Sequence, residues 1–279
     1  MRVLAVSASL LALTLGTPAC ASENSPWTPG PGFGGVSLEF LRQSGDRFTI
    51  GTVLTDLPVD LEQTAYFLNI SYGLTEKLAI DGKIGYSETT FEADKLSPGE
   101  SLDGLADIRI GFRYLLLDET LGAPFTLTAR ATGIIRGIYE EGDLDSIGDG
   151  ASGGEVTALV GRILPGGFAL TGQVGFRGRV DGVPEEIFAA GGISWQATDR
   201  FGFYASGSYT NAFGGVDIGE PGFTPAQLPQ TNEDLPTWSV GTSIKLFGPA
   251  SLNGEFGQRL AGRNTTVGNF FRISLAYSF

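Results

Sequence analysis

Charged residues recur at even spacings along much of this chain. Asp81 precedes Lys83, Asp107 precedes Arg109 and Arg113, and Arg177 precedes Arg179, while Arg130, Glu155, Lys245, Glu255 and Arg272 each stand between small or apolar residues. In an extended chain, side chains two apart point the same way, so each such spacing gathers its charges on one face. Carboxylates and guanidinium groups gathered like this could filter ions, pair with one another, or run acid–base chemistry. Asp81, Asp107, Glu155 and Glu255 each lie near basic residues, which favours ion pairing over a two-carboxylate mechanism.

Other chemistries are limited by what the chain lacks. It contains no histidine and only Cys20, which removes the usual general base, thiol catalysis and His- or Cys-based metal sites. Gly148 to Gly153 reads GxGxxG, but it leads into a strand pattern and lacks the strand-to-helix setting that holds a pyrophosphate. Asp143, Asp145 and Asp149 in the same loop hint at calcium. Ile147 stands where a further oxygen ligand belongs, however, and no glutamate closes the loop. Such a loop reads as solvated, or as bridged through divalent cations to lipopolysaccharide. No cofactor, resident metal or catalytic residue is expected. The formal charge of −13 argues against nucleic acid as a partner.

The elements that must position these charges are strands. Residues 1–21 read as a cleaved secretory signal: Arg2, an apolar run from Val3 to Leu15, then Ala19-Cys20-Ala21. That run is too short to span a bilayer as a helix, and no later stretch is long enough. Cys20 could instead mark a lipoprotein, although Thr17 and Pro18 precede Ala19 where such sites carry leucine and a small residue. A lead at 22–34 is expected on the periplasmic side, and 35–279 forms one β-domain. Apolar and polar residues alternate over 35–42, 62–72, 78–86, 104–117, 125–136, 154–164, 168–179, 187–197, 201–210, 237–246, 250–260 and 269–279. Five short turns and six longer loops join them, so twelve strands and a closed antiparallel transmembrane β-barrel with both termini periplasmic are predicted. The last strand ends on Phe279 without a following turn, as in strands that the barrel-assembly machinery reads.

Two distributions support the barrel. Proline cannot donate to a strand ladder, and all ten prolines beyond Pro31 fall in predicted turns, loops or their edges. The aromatics of the apolar face sort into two groups: Tyr72, Phe125, Phe168, Trp195, Phe203, Tyr277 and Phe279 at the short-turn end, and Phe40, Tyr66, Tyr86, Phe176, Tyr209 and Trp238 at the other. Two membrane–water interfaces require such girdles. On the polar face, Lys83, Arg109, Arg113, Arg130, Arg136, Arg177, Arg179, Lys245, Arg259 and Arg272 outnumber Glu39, Asp81, Asp107, Glu155 and Glu255. Most other acids, Asp94, Glu140 and Glu141 among them, fall in loops. This predicts a basic lumen under an acidic rim. Two readings stay open: selectivity for anionic permeants, or arginine–carboxylate pairs that fill a narrow barrel.

Two stretches resemble a known family. Pro26-Trp27-Thr28-Pro29 followed by Gly34-Gly35-Val36-Ser37-Leu38, and Gly104-Leu105-Ala106-Asp107 continuing to Tyr114, are similar to motifs of the outer-membrane proteins named for the meta-pathway of phenol degradation. Ala106 stands where that family more often has glycine. The resemblance implies an outer-membrane transporter of small hydrophobic or aromatic compounds, while the lumen charges would equally suit small anions. Expected partners are outer-membrane lipid and lipopolysaccharide, the assembly machinery and a small-molecule permeant, with the barrel a monomer. A structural or surface-interaction barrel, its lumen blocked by Phe67, Tyr204 and ion pairs and its loops on lipopolysaccharide or exopolysaccharide, is the alternative.

Overall fold

A computed structural model describes residues 23–91, 101–139 and 147–279. The expected signal segment and the loop residues Asp94, Pro98, Glu140, Glu141, Asp143 and Asp145 lie outside them. The described chain is almost all strand: β1 (Gly34–Ile50), β2 (Val53–Gly73), β3 (Leu78–Phe91), β4 (Ser101–Leu105), β5 (Ile108–Leu117), β6 (Thr126–Ile135), β7 (Gly153–Leu164), β8 (Phe168–Arg179), β9 (Glu185–Gln196), β10 (Phe201–Phe213), β11 (Asp234–Lys245), β12 (Ala250–Arg259) and β13 (Thr266–Ser278). Neighbours in sequence pair antiparallel, and both β4 and β5 pair with β3, so the two form one interrupted wall strand. β1 pairs with β2 and with β13, which closes a twelve-stranded barrel. The seam continues to the last residue, where Gly34 and Phe279 exchange backbone hydrogen bonds of 2.8 and 3.0 Å. A closed ring leaves no strand edge unpaired, which hydrocarbon demands.

The barrel is inverted relative to a soluble protein. Leu38, Ile70, Ile110, Val156, Val174, Ile193, Val240 and Leu275 face outward and are exposed, while Ser71, Asp81, Arg113, Thr128, Arg130, Glu155 and Ser239 are buried inside. The aromatic girdles meet across strands at both ends. Phe168 stacks on Trp195 with centroids 5.8 Å apart, Trp195 meets Phe203 at a tilt with centroids 6.1 Å apart, and the Tyr72 ring lies 6.5 Å from that of Phe279. At the opposite end Phe40 meets Tyr66 at 5.5 Å, and Trp238 meets Phe256 at 6.2 Å.

Three stretches depart from the predicted boundaries, one of them the β10–β11 hairpin, which runs on to Phe213 and back to Asp234 and so takes Pro236 into β11. The expected loop over 43–61 is instead a hairpin in which β1 and β2 run on to Ile50 and Val53, turning at Gly51 with φ +56°. Pairing passes from Gly45↔Leu61 to Arg47↔Asp56, so Pro58 lies in β2 but within residues that make no ladder pairing. Beyond the membrane a strand needs no lipid-facing alternation, so sequence periodicity ends before the ladder does. The predicted strand 104–117 is broken at Ala106 and Asp107, where the Asp107 side chain is taken up by the loop that follows β6.

Candidate functional site

The lumen wall is built from glycine, aromatic and cation in sequence. Phe67, Phe188, Tyr204 and Phe270 point inward, and each lies beside a glycine of the adjacent strand: Gly85, Gly175, Gly241 and Gly257. A Cβ at any of these glycines would collide with the ring, so the missing side chain lets the aromatic lie flat. Three of the rings carry a cation: Lys83 Nζ 4.2 Å from Phe67, Arg177 5.2 Å from Phe188 and Arg272 5.8 Å from Phe270.

Most of the predicted lumen charges are paired. Arg113 grips Asp81 with Nε and Nη2 at 2.7 and 2.8 Å, and Nη2 also donates to Ser71 at 2.6 Å. Glu155 on β7 receives Arg109 at 2.7 Å, Arg177 at 3.1 Å and Arg130. Arg113 and Arg130 are directly opposite across β5 and β6, a repulsive placement relieved because each turns to a different carboxylate. Across the lumen Arg272 bridges Glu255 at 3.0 Å and Glu39 at 3.5 Å. Arg179 donates to Asp107 at 2.8 Å and lies 3.5 Å from Asp149. Lys245 ends β11 at the short-turn mouth, and Arg136, expected on the polar face of a strand, lies past the end of β6 and is exposed.

Residues 23–27 run inside this wall, and the chain emerges at the exposed Pro31, Gly32 and Phe33. Trp27 Nε1 donates to Glu119 at 3.0 Å, Thr128 Oγ1 to the Pro26 carbonyl at 2.6 Å, Arg113 Nη1 to the Ser25 carbonyl at 2.8 Å, and Arg130 Nη1 to the Glu23 carbonyl at 2.8 Å. Pro26 and Trp27 pack on Gly161, where a Cβ would come within 2.5 and 2.8 Å of their rings. Burial pushes the Glu23 carboxyl up, but Arg109, Lys83 and Arg130 outweigh it and hold the group below its ordinary value. The segment therefore occupies the lumen toward the short-turn end through a mainly polar contact set.

The long-loop end is roofed. Asp107 accepts from Gly137 N at 3.1 Å and Tyr139 Oη at 2.7 Å, and Gly104 lies so close to Ile138 and Tyr139 that a side chain would not fit. Asn264, at φ +48°, ties three segments: its Oδ1 accepts from Gly51 N at 2.8 Å and Ile218 N at 3.2 Å, and its Nδ2 donates to Asp217 and to the Asn232 carbonyl. Below lies a cavity of about 470 Å³, bordered by Lys83, Arg109, Arg179, Glu233 and Arg259 and by Phe48, Leu61, Phe67 and Leu235. Glu233, in the loop before β11, accepts from Thr265 Oγ1 at 2.7 Å, and burial pushes its carboxyl up to about 7.

The chain matches no family model and no curated protein. It is similar in structure to an outer membrane channel from Pseudomonas putida F1, with a TM-score of 0.72 at 13% identity over 91% of this chain and 97% of that one. The fold is that of an outer-membrane β-barrel. The translocator domain of the autotransporter NalP from Neisseria meningitidis gives a TM-score of 0.53 at 15% identity, covering 90% of each chain. The NanC porin gives 0.52 at 8% identity, over 86% of this chain and 98% of the porin. Identities this low establish shared architecture. With its apolar outer band and aromatic girdles, the barrel resides in the outer membrane.

Sequence reasoning missed the inward Phe188 and Phe270 and the Asn264 tie, and read Glu233 only as one of the loop acids, not as a buried one. The first two carried a signal, since each has a glycine at its partner position on the adjacent strand, but that signal needs the register.

Proposed function

We propose that this barrel is a passive outer-membrane channel for a small molecule, closed in the described state by its own N-terminal segment. The observation that carries this reading is the 470 Å³ charged cavity within a closed wall, with residues 23–27 seated beside it on Arg109, Arg113 and Thr128 toward the short-turn mouth. A plug held by hydrogen bonds can leave, because water replaces each bond as it breaks. In this reading both termini lie in the periplasm, the Phe279 strand serves assembly, and the barrel works as a monomer. Membership of the family named for phenol degradation, suggested by the Trp27 and Asp107 motifs, favours hydrophobic or aromatic permeants. Lys83, Arg109, Arg113, Arg130, Arg177, Arg179, Lys245 and Arg272, with Asp81, Asp107, Glu155 and Glu255, set the field that a permeant crosses.

The alternative is a structural or surface barrel bound to lipopolysaccharide or exopolysaccharide, favoured by the plug itself and by the dense pairing around Glu155. Planar-bilayer recordings of the full chain and of a chain lacking residues 23–33 separate the two. The channel reading expects brief low-conductance openings that become long and large on deletion. A deletion barrel that folds and stays electrically silent overturns it.

A further inference from the structure

The cavity beneath the loops is bordered by Lys83, Arg109, Arg179 and Arg259 and by the acids Asp107, Asp149 and Glu233, and two of its cations make no ion pair among the described residues. Arg109 and Arg179 border it but are engaged by Glu155 and Asp107. Arg259, on β12, makes no side-chain hydrogen bond and no ion pair among the described residues, and its Nε is closed off from solvent without an acceptor. Lys83, on β3, has the Phe67 ring as its neighbour and the Glu23 carboxyl within its field, and makes no ion pair among the described residues. Glu233, the acid whose charge acts on Arg259, is held by Thr265 Oγ1. A guanidinium partly withdrawn from water, with its Nε–H left unsatisfied, is costly, and a ligand anion on its remaining N–H groups is the natural way to offset it.

The rest of the wall specifies what the anion is attached to. Phe48, Leu61, Phe67, Leu228, Pro229 and Leu235 border the same space, so an apolar body is favoured over a hydrated one. The planar fork of arginine matches a carboxylate with two parallel hydrogen bonds. We propose that this cavity is a binding station for a small amphipathic monocarboxylate, its carboxylate on Arg259 in the field of Lys83 and its apolar body on Phe48, Leu61 and Leu235. The inference rests on the channel reading only in naming a permeant class. Its test is an equilibrium one, so failure to conduct and failure to bind are read separately.

Calorimetric titration of the full detergent-solubilised barrel compares three probes: benzoate, benzyl alcohol, which keeps the ring and loses the charge, and acetate, which keeps the charge and loses the ring. Benzoate is expected to bind at least about tenfold more tightly than either. Arg259→Gln should remove most of that advantage, and Arg42→Gln, at an exposed ion pair with Glu62, should leave it intact. If Arg259→Gln fails to fold, the three-probe comparison on the unaltered protein decides alone. Equal binding of benzoate and benzyl alcohol, or benzoate binding unchanged in a folded Arg259→Gln barrel, overturns the proposal.

Discussion

Glu39, Asp81, Asp107, Glu155 and Glu255 each pair with arginine, and where several guanidinium groups converge the carboxylate offsets their repulsion. Glu155 is the clearest case, with Arg109, Arg130 and Arg177 converging on two oxygens. A buried ion pair gains little over an apolar core, but removing one partner strands the other charge. Glu155→Gln is therefore expected to lower the unfolding free energy by about 3–5 kcal/mol, read from urea titration in micelles. Glu233 makes a pH-dependent contribution of the opposite kind. Its carboxyl is pushed up from 4.5 to about 7 by burial, against the bond from Thr265; Arg259 favours its ionised form, while Asp149 and Glu186 oppose it. Between these values the folded barrel holds a proton that the unfolded chain has released, so this contribution is full below 4.5 and is lost as pH rises through about 7. Glu233→Gln should flatten the pH dependence of stability across that window. It should also make benzoate affinity, expected to be greater at the acid end, nearly independent of pH.

Residues 104–114 show how one element serves another. The break at Ala106 and Asp107 interrupts the wall strand, and in return Asp107 secures Gly137, Tyr139 and Arg179. The glycine and aspartate of this motif thus have a mechanical reason: the one admits the loop backbone, the other binds it. The plug is the second such element. Its seat includes Gly161, and Gly161→Val would drive a side chain into Pro26 and Trp27 while leaving the outer face untouched. This variant should fold and behave in bilayers like the chain without residues 23–33, with larger and longer openings. Conductance no different from the unaltered chain would show that the segment does not control passage.

The barrel has a polar interior and an apolar exterior, so the cost of a charge depends on the parity of its position. Val174 faces outward and is 54% exposed, whereas Gln173 and Gly175 face the lumen. Val174→Arg should lose about 2–4 kcal/mol if its depth is near the bilayer midplane, measured by unfolding from lipid vesicles. Replacing Arg109, Arg113, Arg130, Arg177 and Arg179 together by Gln tests the field of the whole lumen. In an open, plug-deleted barrel the reversal potential should move toward cation preference, provided the altered barrel still folds in heat-modifiability gels.

The wall was legible because its signal is local. Val156 and Ala158 alternating with Glu155 and Thr157 decide, without reference to any other strand, which face meets lipid, and proline, glycine and the two aromatic groups mark where each strand ends. The hairpin beyond residue 43 was not legible, since outside the bilayer nothing enforces alternation. The fate of the charges was legible only as a balance: inward cations exceed inward acids in the sequence, and the tertiary structure leaves Arg259 and Lys83 without an ion pair among the described residues. Which arginine meets which carboxylate depends on the stagger of β5 to β8, a property of the closed ring that no single strand carries. The plug is the extreme case. Residues 23–33 have no period and form no strand, and their seat on Arg113, Thr128, Arg130 and Gly161 exists only once β5, β6 and β7 stand side by side. Alternation along the chain fixed the membrane, the strand number and the polar interior; closure of the ring decided what fills that interior, because contacts between distant residues form only after the wall has set their distances.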